Sequence, residues 1–395
     1  MDLRYSEENE QFRSELRRWL KDAVPAYGPP PPLDDWPARR AYDTGWQRQL
    51  YEAGYACIDW PREYGGRDAS PIEQLIYFEE IGRARAPYVG INFVGVKHGG
   101  PTIIVEGTPE QKAAHIPRIL RGDEVWCQGF SEPGAGSDLA SLRTRAVRDG
   151  DHYVVTGQKI WTTYAQVADY CELLVRTDPN GPKHKGISWL ILPMHLPGVE
   201  FRPLKTLVGE GEFSELFLED VRVPVENRVG AENDGWRVTN VTLRFERGTA
   251  FASAIYAQQE FLADIARAAQ RVTRFDARAW DDAALRKEIG HLQAELDALW
   301  ALVKMGVSEI SKTGIPGIGG VAVKLLYSEL DQRLGDLAQR VLGRAGLSRD
   351  DIGGLPSTRF LAVALKSVSL TIAAGTSQIQ RNIIAERILG LPKER

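Results

Sequence analysis

Apolar and polar positions follow three successive patterns along the 395-residue chain. In the first pattern, over residues 6–121, charged and apolar side chains recur at intervals of three and four, which predicts amphipathic helices. A proline-rich stretch at 27–37, YGPPPPLDDWP, interrupts this pattern. Because consecutive prolines favour extended backbone without internal hydrogen bonds, we expect a surface loop between two helices there.

The second pattern begins near Val125 and consists of short runs rich in β-branched and aromatic residues. Turn-forming Gly, Pro and Asp residues separate these runs, which predicts strands joined by turns. The runs are DHYVVTGQKIWTT, YCELLVRT, GISWLILPM and SELFLEDVRVP. The sequence therefore predicts a β domain that ends around Val229.

Long amphipathic helices are predicted after this β domain. One series of apolar residues keeps a spacing of three and four for more than three heptads, as expected for a helix in a bundle core. The series is Leu285, Ile289, Leu292, Leu296, Leu299, Val303, Val307 and Ile310. Two more helices are predicted, over about 319–343 and about 358–389. The order of helices, strands and helices predicts an α+β protein with domains at 1–123, 124–229 and 230–395.

Composition agrees with a folded protein and narrows its partners. The chain is 43% hydrophobic and 26% charged, which is too apolar for a disordered chain and sufficient for several packed layers. The formal net charge is −4 and no long Lys/Arg run is present, which argues against nucleic acid and against an anionic membrane surface as partners. No signal-peptide core precedes the first helix, and no window of about 18 uninterrupted apolar residues occurs, so we expect a cytoplasmic protein.

Cysteine and histidine usage indicates neither a disulfide framework nor a metal site. The three cysteines, Cys57, Cys127 and Cys171, are far apart and odd in number, which suits reduced thiols in the core. The six histidines show no HxxxH or HxH spacing that would present two ligands on one element. We therefore predict that the protein binds no metal.

Two stretches in the β domain carry candidate chemistry. Residues 129–141, GFSEPGAGSDLAS, form a glycine-rich loop whose backbone can approach a flat or phosphorylated ligand, although a tight surface turn is the structural alternative. The loop lacks the GK[ST] ending of a P-loop and the strand–GxGxxG–helix context of a dinucleotide fold. Further along, GQKIWTT places Trp161 beside Thr162 and Thr163. An indole can wall an aromatic cofactor while hydroxyls bond its polar edge, and the alternative is a half-buried structural tryptophan.

A third stretch, VTLRFERGTAF at 241–251, places Glu246 and Arg247 among apolar side chains. A carboxylate in apolar surroundings loses hydration and resists ionisation, so it either has a permanent partner or exchanges a proton. A structural ion pair or a solvated helix face is the ordinary explanation of such a pair. The stretch taken alone leaves both explanations open.

Together with other segments, these stretches form a set of motifs that resembles the acyl-CoA dehydrogenase family over nearly the whole chain. In chain order the motifs are WPREYGG, GTPEQK, GFSEPGAGSD, GQKIWTT, VRVP, the ER pair and GTSQIQR. The resemblance implies an N-terminal helical domain, a central β-barrel-like domain and a C-terminal four-helix bundle. It also implies an oxidoreductase that converts an acyl-CoA to its trans-2-enoyl thioester, with N5 of FAD as the hydride acceptor.

The resemblance further implies contacts to FAD and to the substrate. The residues expected around FAD are Gln128, Phe130, Ser131, Trp161, Thr162, Thr163, Thr376, Ser377 and Gln378. Ser137 is expected to contact the thioester arm of the substrate. Two family motifs for the FAD pyrophosphate are altered in this chain. The first motif reads QRVTRFDAR here, so either Arg271 or Arg274 could be the pyrophosphate contact. The second reads AQRVLGRAG, in which Gln339 is one position out of register.

The expected catalytic base departs from the commonest family pattern. Much of the family has a Glu directly before the C-terminal GT, where this chain has Ala374. A minority, including isovaleryl- and long-chain-type enzymes and some sterol side-chain dehydrogenases, has its base before an Arg on an earlier helix, which matches Glu246 and Arg247. The resemblance therefore implies Glu246 as the base and Arg247 at the substrate site. Ala374 keeps its backbone N–H as a donor to the thioester oxygen.

Two other functions agree with the same motifs. One is a catalytically silent partner chain of an α2β2 complex, although a lost site has no reason to keep the carboxylate of Glu246. The other is a flavin monooxygenase on the same fold, which needs no such base. The resemblance also implies a homotetramer or an α2β2 heterotetramer, and an electron-transferring flavoprotein as the acceptor of electrons. The identity of the acyl group is left open.

Overall fold

The structure is a computed structural model of the 395-residue chain. It describes residues 5–32, 34–87, 89–209, 211–245, 252–274, 276–313, 319–347, 351–352 and 354–393. Glu246 and Arg247, the predicted base and its neighbour, lie outside these described residues. The described part of the chain contains eleven α-helices and an eight-stranded sheet, which confirms the predicted α+β class.

The helices and strands occur in the predicted order. The α-helices are α1 (Glu7–Tyr27), α2 (Trp36–Glu52), α3 (Pro71–Arg83), α4 (Gly100–Glu106), α5 (Pro109–Arg121), α6 (Gly235–Phe245), α7 (Ala252–Ala269), α8 (Ala283–Thr313), α9 (Gly319–Leu342), α10 (Ser357–Leu370) and α11 (Ser377–Ile383). The strands of the large sheet are β1 (Trp126–Gly129), β2 (Arg145–Asp149), β3 (His152–Thr163), β4 (Tyr170–Arg176), β5 (Ile187–Pro193), β6 (Val199–Leu204), β7 (Phe213–Pro224) and β8 (Arg228–Val229). Four short strands, β9 (Thr273–Arg274), β10 (Ala277–Arg278), β11 (Asp351–Ile352) and β12 (Leu355–Pro356), form two separate hairpins.

The chain divides into two compact units. We call the first the bundle unit; it comprises Met1–Leu20, Ser70–Ala86 and Arg247–Arg395. The second, the sheet unit, comprises Lys21–Ala69 and Pro87–Glu246. The bundle unit therefore takes in α3 from the N-terminal third of the sequence. The predicted domain boundaries at 123 and 229 stay a prediction.

The sheet unit is built on one mixed sheet with strand order β6–β7–β3–β2–β4–β5–β8, and β1 pairs in parallel with β4. Its core consists of inward-facing apolar side chains such as Tyr153, Leu173, Leu190 and Val221. Strands β3 and β7 are antiparallel, and their register shifts between Lys159 and Thr162. This irregularity falls within the GQKIWTT motif and changes which side chains of the strand face the core.

The bundle unit buries the predicted apolar series of α8. The buried members are Leu285, Leu292, Leu296, Leu299, Val303 and Val307, whereas Ile289 and Ile310 are partly exposed. Helix α3 is buried continuously from Leu75 to Ile81, and it includes Glu79 and Glu80. Arg13 and Arg17 of α1 lie 2.8 and 2.7 Å from these carboxylates. Because α3 is buried over these consecutive residues and its two buried carboxylates are paired with arginines, it is an internal helix of this unit.

The single helix predicted over 358–389 is wrong. Helix α10 ends at Leu370 and α11 begins at Ser377, with a turn between them. Ala374 and Gly375 in this turn have φ values of 51° and 87°, which no right-handed helix contains. The apolar spacing continues across the turn, and periodicity alone therefore did not reveal the break.

Candidate active site

The glycine-rich stretch 129–141 is fixed to strand β3 by a buried ion pair. Lys159 on β3 is 0% exposed, and its Nζ lies 2.8 Å from Glu132 Oε1. The same Nζ donates to the Phe130 carbonyl at 3.2 Å. The Glu132 carboxylate also accepts two backbone N–H groups, at 2.7 and 2.8 Å. The ion pair therefore joins the GFSEPGAGSD and GQKIWTT motifs, which the family resemblance assigns to FAD binding.

The charges of this pair are stabilised by one another. Burial disfavours the ionised form of Glu132, but the Lys159 ammonium and the hydrogen bonds from Thr144 outweigh it, so the pKa of Glu132 lies below its ordinary value. Burial lowers the pKa of Lys159, and Glu132 opposes that shift. A carboxylate that stays ionised at neutral pH is a poor proton carrier. We therefore assign the pair a supporting role for the loop.

The tip of the glycine-rich stretch leaves room for a ligand. A Cβ added at Gly134 or Gly136 would meet no atom of the described chain within 4 Å, and neither glycine has a positive φ. Packing and backbone conformation therefore do not require glycine at these positions, whereas close approach of a ligand would. Ser137 is exposed beside them, and Asp138 pairs with Lys183 at 2.5 Å. The Ser137 hydroxyl is thus accessible, as a contact to substrate requires.

Strand β3 ends in an unusual conformation at the aromatic motif. Trp161 has a φ of 62°, and it is 57% exposed. Its ring makes an edge contact to Phe213, with centroids 5.9 Å apart. A bulky residue in the left-handed region is uncommon, and such strain collects at ligand sites. The exposed indole suits the wall of a site for a flat ligand.

The two threonines after Trp161 have different surroundings. Thr162 is fully buried, and its Oγ1 has no hydrogen-bond partner among the described residues. Thr163 is partly exposed and pairs with Phe213 of β7. A buried hydroxyl without a partner costs about 1–3 kcal/mol. Thr162 Oγ1 is therefore a candidate to bond an atom of a bound ligand.

Gln128 belongs to a buried polar cluster that sequence reasoning missed. Its Nε2 lies 2.8 Å from Glu172 Oε1 and 3.1 Å from His98 Nδ1. His98 Nδ1 is itself 3.2 Å from Glu172 Oε1, and both residues are buried. These two residues are 74 positions apart, so no local motif could connect them. The available signal was a Glu inside the apolar strand run YCELLVRT.

The C-terminal motif GTSQIQR begins helix α11 in the bundle unit. Thr376 is the N-cap residue, and its side chain accepts the N–H of Ile379 at 3.2 Å. Ser377 is buried, and its Oγ has no hydrogen-bond partner within the described ranges. Gln378 is exposed. The Gln378 amide is therefore accessible to a ligand, whereas Ser377 Oγ is buried without a partner and the Thr376 hydroxyl already caps the helix.

The structure brings the predicted residues together in two groups. In the sheet unit, the segments 128–137 and 161–163 are joined through Lys159. In the bundle unit, the segment 376–378 directly follows the turn that contains Ala374. Glu246 and Arg247 lie outside the described residues, so their side chains have no place in either group.

The sequence also led to expectations about the cysteines, about metal binding and about membrane-spanning helices. The three cysteines are buried with free thiols, which confirms their prediction as core residues. The described residues contain no group of three or more His, Cys, Asp or Glu that would hold a metal ion. None of the helices within those residues combines the length and the apolar character needed to cross a membrane.

Three protein-family models match consecutive segments of the chain. They are the acyl-CoA dehydrogenase N-terminal domain over 6–123, the middle domain over 127–221 and the C-terminal domain over 233–389. The matches together cover most of the 395 residues, in the order that the motifs predicted.

Full-length relatives agree with these models. The acyl-CoA dehydrogenase IpdE1 of Mycobacterium tuberculosis is 38% identical over 397 aligned residues, which cover 98% of each chain. A chain in the crystal structure of the ChsE4-ChsE5 complex from M. tuberculosis is 35% identical, with a TM-score of 0.85 and complete coverage of both chains. A chain of the Tcur3481-Tcur3483 steroid ACAD is 32% identical, with a TM-score of 0.84 and complete coverage of both.

Proposed function

The chain belongs to the acyl-CoA dehydrogenase family of FAD-dependent oxidoreductases, and from this premise we propose that it oxidises a steroid-type acyl-CoA thioester to the trans-2-enoyl thioester. The observation that carries the proposal is the full-length similarity to a steroid acyl-CoA dehydrogenase. The Lys159–Glu132 ion pair, which fixes the glycine-rich stretch 129–141 to β3, agrees with it. We infer the two-hydrogen oxidation from membership of the family, and the steroid-type acyl group from the similarity to that relative.

The sheet unit has the features that FAD requires. An exposed indole at Trp161, the buried unpartnered Oγ1 of Thr162 and the open space at Gly134 and Gly136 suit a large flat ligand with a polar edge. We propose that Gln128, Phe130 and Ser131, with 161–163, surround the ring. From the family motif, we also propose Thr376 and Gln378 as cofactor contacts. FAD, when bound, supplies the acceptor for the hydride that leaves the β carbon.

In the proposed reaction, the Glu246 carboxylate takes the proton from the α carbon of the thioester. This assignment rests on the sequence, because Ala374 stands where much of the family has its carboxylate and Glu246 precedes Arg247 as in the minority pattern. The α proton is weakly acidic, so negative charge that develops on the thioester oxygen needs a hydrogen-bond donor. We propose the backbone N–H of Ala374 for that role. Ser137 contacts the thioester arm, and Arg247 holds the charge and geometry around Glu246.

We also propose an assembly and a cellular location for this chain. Two similar chains were solved as parts of paired proteins, ChsE4-ChsE5 and Tcur3481-Tcur3483, which favours an α2β2 heterotetramer over a homotetramer. In such a pair, this chain would be the one that keeps a carboxylate for catalysis. Three buried free thiols suit a reducing compartment, which favours the cytoplasm. An electron-transferring flavoprotein is the proposed acceptor of electrons.

The substitution Glu246→Gln tests the proposed base. The amide cannot take a proton, so we expect FAD to stay bound while substrate no longer bleaches the flavin, with kcat lowered at least about 10³-fold. Glu309→Gln, an exposed position on α8, is the matched control and is expected to behave as wild type. Anaerobic titration, followed by flavin absorbance, measures both variants. Normal turnover of Glu246→Gln would refute the assignment.

A panel of thioesters tests the proposed substrate class. Under anaerobic conditions, acyl-CoAs that carry steroid side chains or steroid-derived rings are expected to bleach the flavin at lower concentration than straight-chain acyl-CoAs of equal carbon number. A panel led by short straight chains would contradict the steroid-type proposal and leave the reaction intact. Oxygen consumption by the reduced protein without enoyl product would instead indicate the monooxygenase alternative.

A further inference from the structure

The turn between α10 and α11 holds an alanine in a conformation that it does not favour. Ala374 has a φ of 51°, and Gly375 follows with a φ of 87°. For an L-residue with a Cβ, the left-handed region costs about 1–2 kcal/mol, because the Cβ approaches the following carbonyl oxygen. Other contacts must therefore hold the turn in this shape.

A buried lysine on the neighbouring helix supplies one of these contacts. Lys324 on α9 is 6% exposed, and its Nζ donates to the carbonyl oxygens of Gly375 at 2.7 Å and Leu370 at 2.9 Å. Burial lowers the pKa of Lys324, with Glu329 opposing the shift. Since an ammonium loses hydration there, an apolar residue would be the less costly choice for packing alone. The position favours a residue that bonds the turn.

A buried glutamine holds the same turn from the other side. Gln380 on α11 is 4% exposed, and its Nε2 donates to the carbonyl of Ala374 at 3.1 Å, with a longer contact of 3.4 Å to the carbonyl of Gly375. The N–H of Ser377 also donates to the carbonyl of Thr371 at 2.9 Å. A peptide unit is planar and trans, so the bonds to the Ala374 and Gly375 carbonyls fix the two peptide units that follow these residues. The N–H of Ala374 belongs to the preceding peptide unit, which is joined to the fixed Ala374 carbonyl through one Cα with a φ of 51°.

From this geometry we propose that Lys324 and Gln380 are positioning residues for the thioester carbonyl: they hold the Ala374–Gly375 turn so that the backbone N–H of Ala374 meets the oxygen. The inference rests on the proposed function, in which that N–H is the donor. A donor lowers the barrier only if it is already oriented when charge develops, because reorientation during the reaction costs free energy. The two buried side chains supply that orientation to a turn which lacks the carboxylate found in much of the family.

The test uses a thioester that reports the polarity of its own carbonyl. An arylacryloyl-CoA is already unsaturated, so the oxidised holoenzyme cannot turn it over, and its absorption moves to longer wavelength when its carbonyl accepts a stronger hydrogen bond. We expect wild type to produce this shift. Lys324→Met and Gln380→Met are each expected to reduce the shift by half or more and to lower kcat about 10- to 100-fold, with a smaller change in KM. Lys287→Met, an exposed position on α8, is the control.

Further outcomes separate the inference from the proposed function. A folded, FAD-loaded Lys324→Met protein that shifts the probe as wild type does overturns the inference and leaves the function standing. If Lys324→Met does not fold, Gln380→Met is used instead, and a wild-type shift in that variant overturns the inference in the same way. A wild-type holoenzyme that binds the probe without any shift overturns the role of Ala374 in the proposed function, and the inference with it. Partial recovery of the shift in Lys324→Arg supports hydrogen bonding to the turn.

Discussion

Lys159 is a charged residue with no access to water, and the Glu132 carboxylate stabilises its buried ammonium. Substitution by methionine keeps the volume but leaves the Glu132 carboxylate buried without its cation. Breaking a buried pair in this way costs about 3–5 kcal/mol. We expect Lys159→Met to lower the free energy of unfolding by about that amount and to lose FAD on gel filtration. Urea denaturation and the flavin-to-protein absorbance ratio measure the two effects.

A matched control separates this loss from the loss of any lysine. Lys205 is exposed in the same unit, and Lys205→Met is expected to change the free energy of unfolding by less than about 0.5 kcal/mol. If Lys159→Met were as stable as Lys205→Met, the ion pair would not support the loop.

The lowered pKa of Glu132 gives the ion pair a defined pH dependence. Because the folded-state pKa lies below the unfolded value, the carboxylate contributes stability above the unfolded pKa and loses it as pH falls through the folded pKa. The difference in unfolding free energy between wild type and Glu132→Gln should therefore be full at neutral pH and shrink below about pH 4. Denaturation curves from pH 7 to pH 3 measure it. A difference that grows on acidification would contradict the sign.

Single residues show where sequence reasoning reached its limit. Glycine and tryptophan have distinctive conformational and aromatic properties, so GFSEPGAGSD and GQKIWTT could be predicted as site segments from the sequence. Lys159 gave no such signal, because a lysine in a strand ordinarily faces water and its partner is 27 positions away. Likewise, Ala374 is a good helix former, and Lys324, which bonds the left-handed turn around it, is 51 positions from the Gly375 carbonyl that it contacts. Long-range polar contacts of this kind require the fold.

At the scale of elements, the GTPEQK motif has a structural explanation in helix α5. Thr108 and Gln111 form a capping box: Thr108 Oγ1 accepts the N–H of Gln111 at 3.2 Å, and Gln111 Oε1 accepts the N–H of Thr108 at 3.0 Å. Gln111 Nε2 also donates to the carbonyls of Glu226 and Arg228 at 2.7 and 3.0 Å. The motif therefore both starts the helix and ties it to the segment that contains β8.

This double role predicts unequal costs for two substitutions in one motif. Thr108→Ala removes only the cap and is expected to cost about 1 kcal/mol of stability. Gln111→Ala removes the cap partner and also leaves two carbonyls without this donor, for about 2–4 kcal/mol in total. Thr108→Ser, which keeps the hydroxyl, should remain close to wild type. Equal losses in thermal or urea unfolding would show that the tie to Glu226 and Arg228 contributes nothing.

At the scale of the whole molecule, large apolar side chains remain exposed on three helices of the bundle unit. Met305 on α8, Leu326 on α9 and Val368 on α10 are 56%, 44% and 47% exposed. A contiguous apolar patch often marks contact with another protein chain, and we expect these three side chains to belong to one. In the assembly proposed above, these side chains would face another subunit.

We therefore expect Leu326→Glu combined with Met305→Lys to weaken assembly. Light scattering of the FAD-loaded wild type should give about four times the 44.0 kDa chain mass, either for this chain alone or for an equal mixture with a related chain. The double variant places charges where apolar contacts would be buried, which costs several kcal/mol per interface, so its mass should fall. Lys312→Glu, exposed on α8, is the charge-changing control. An unchanged mass for the double variant would locate the subunit contacts elsewhere on the chain.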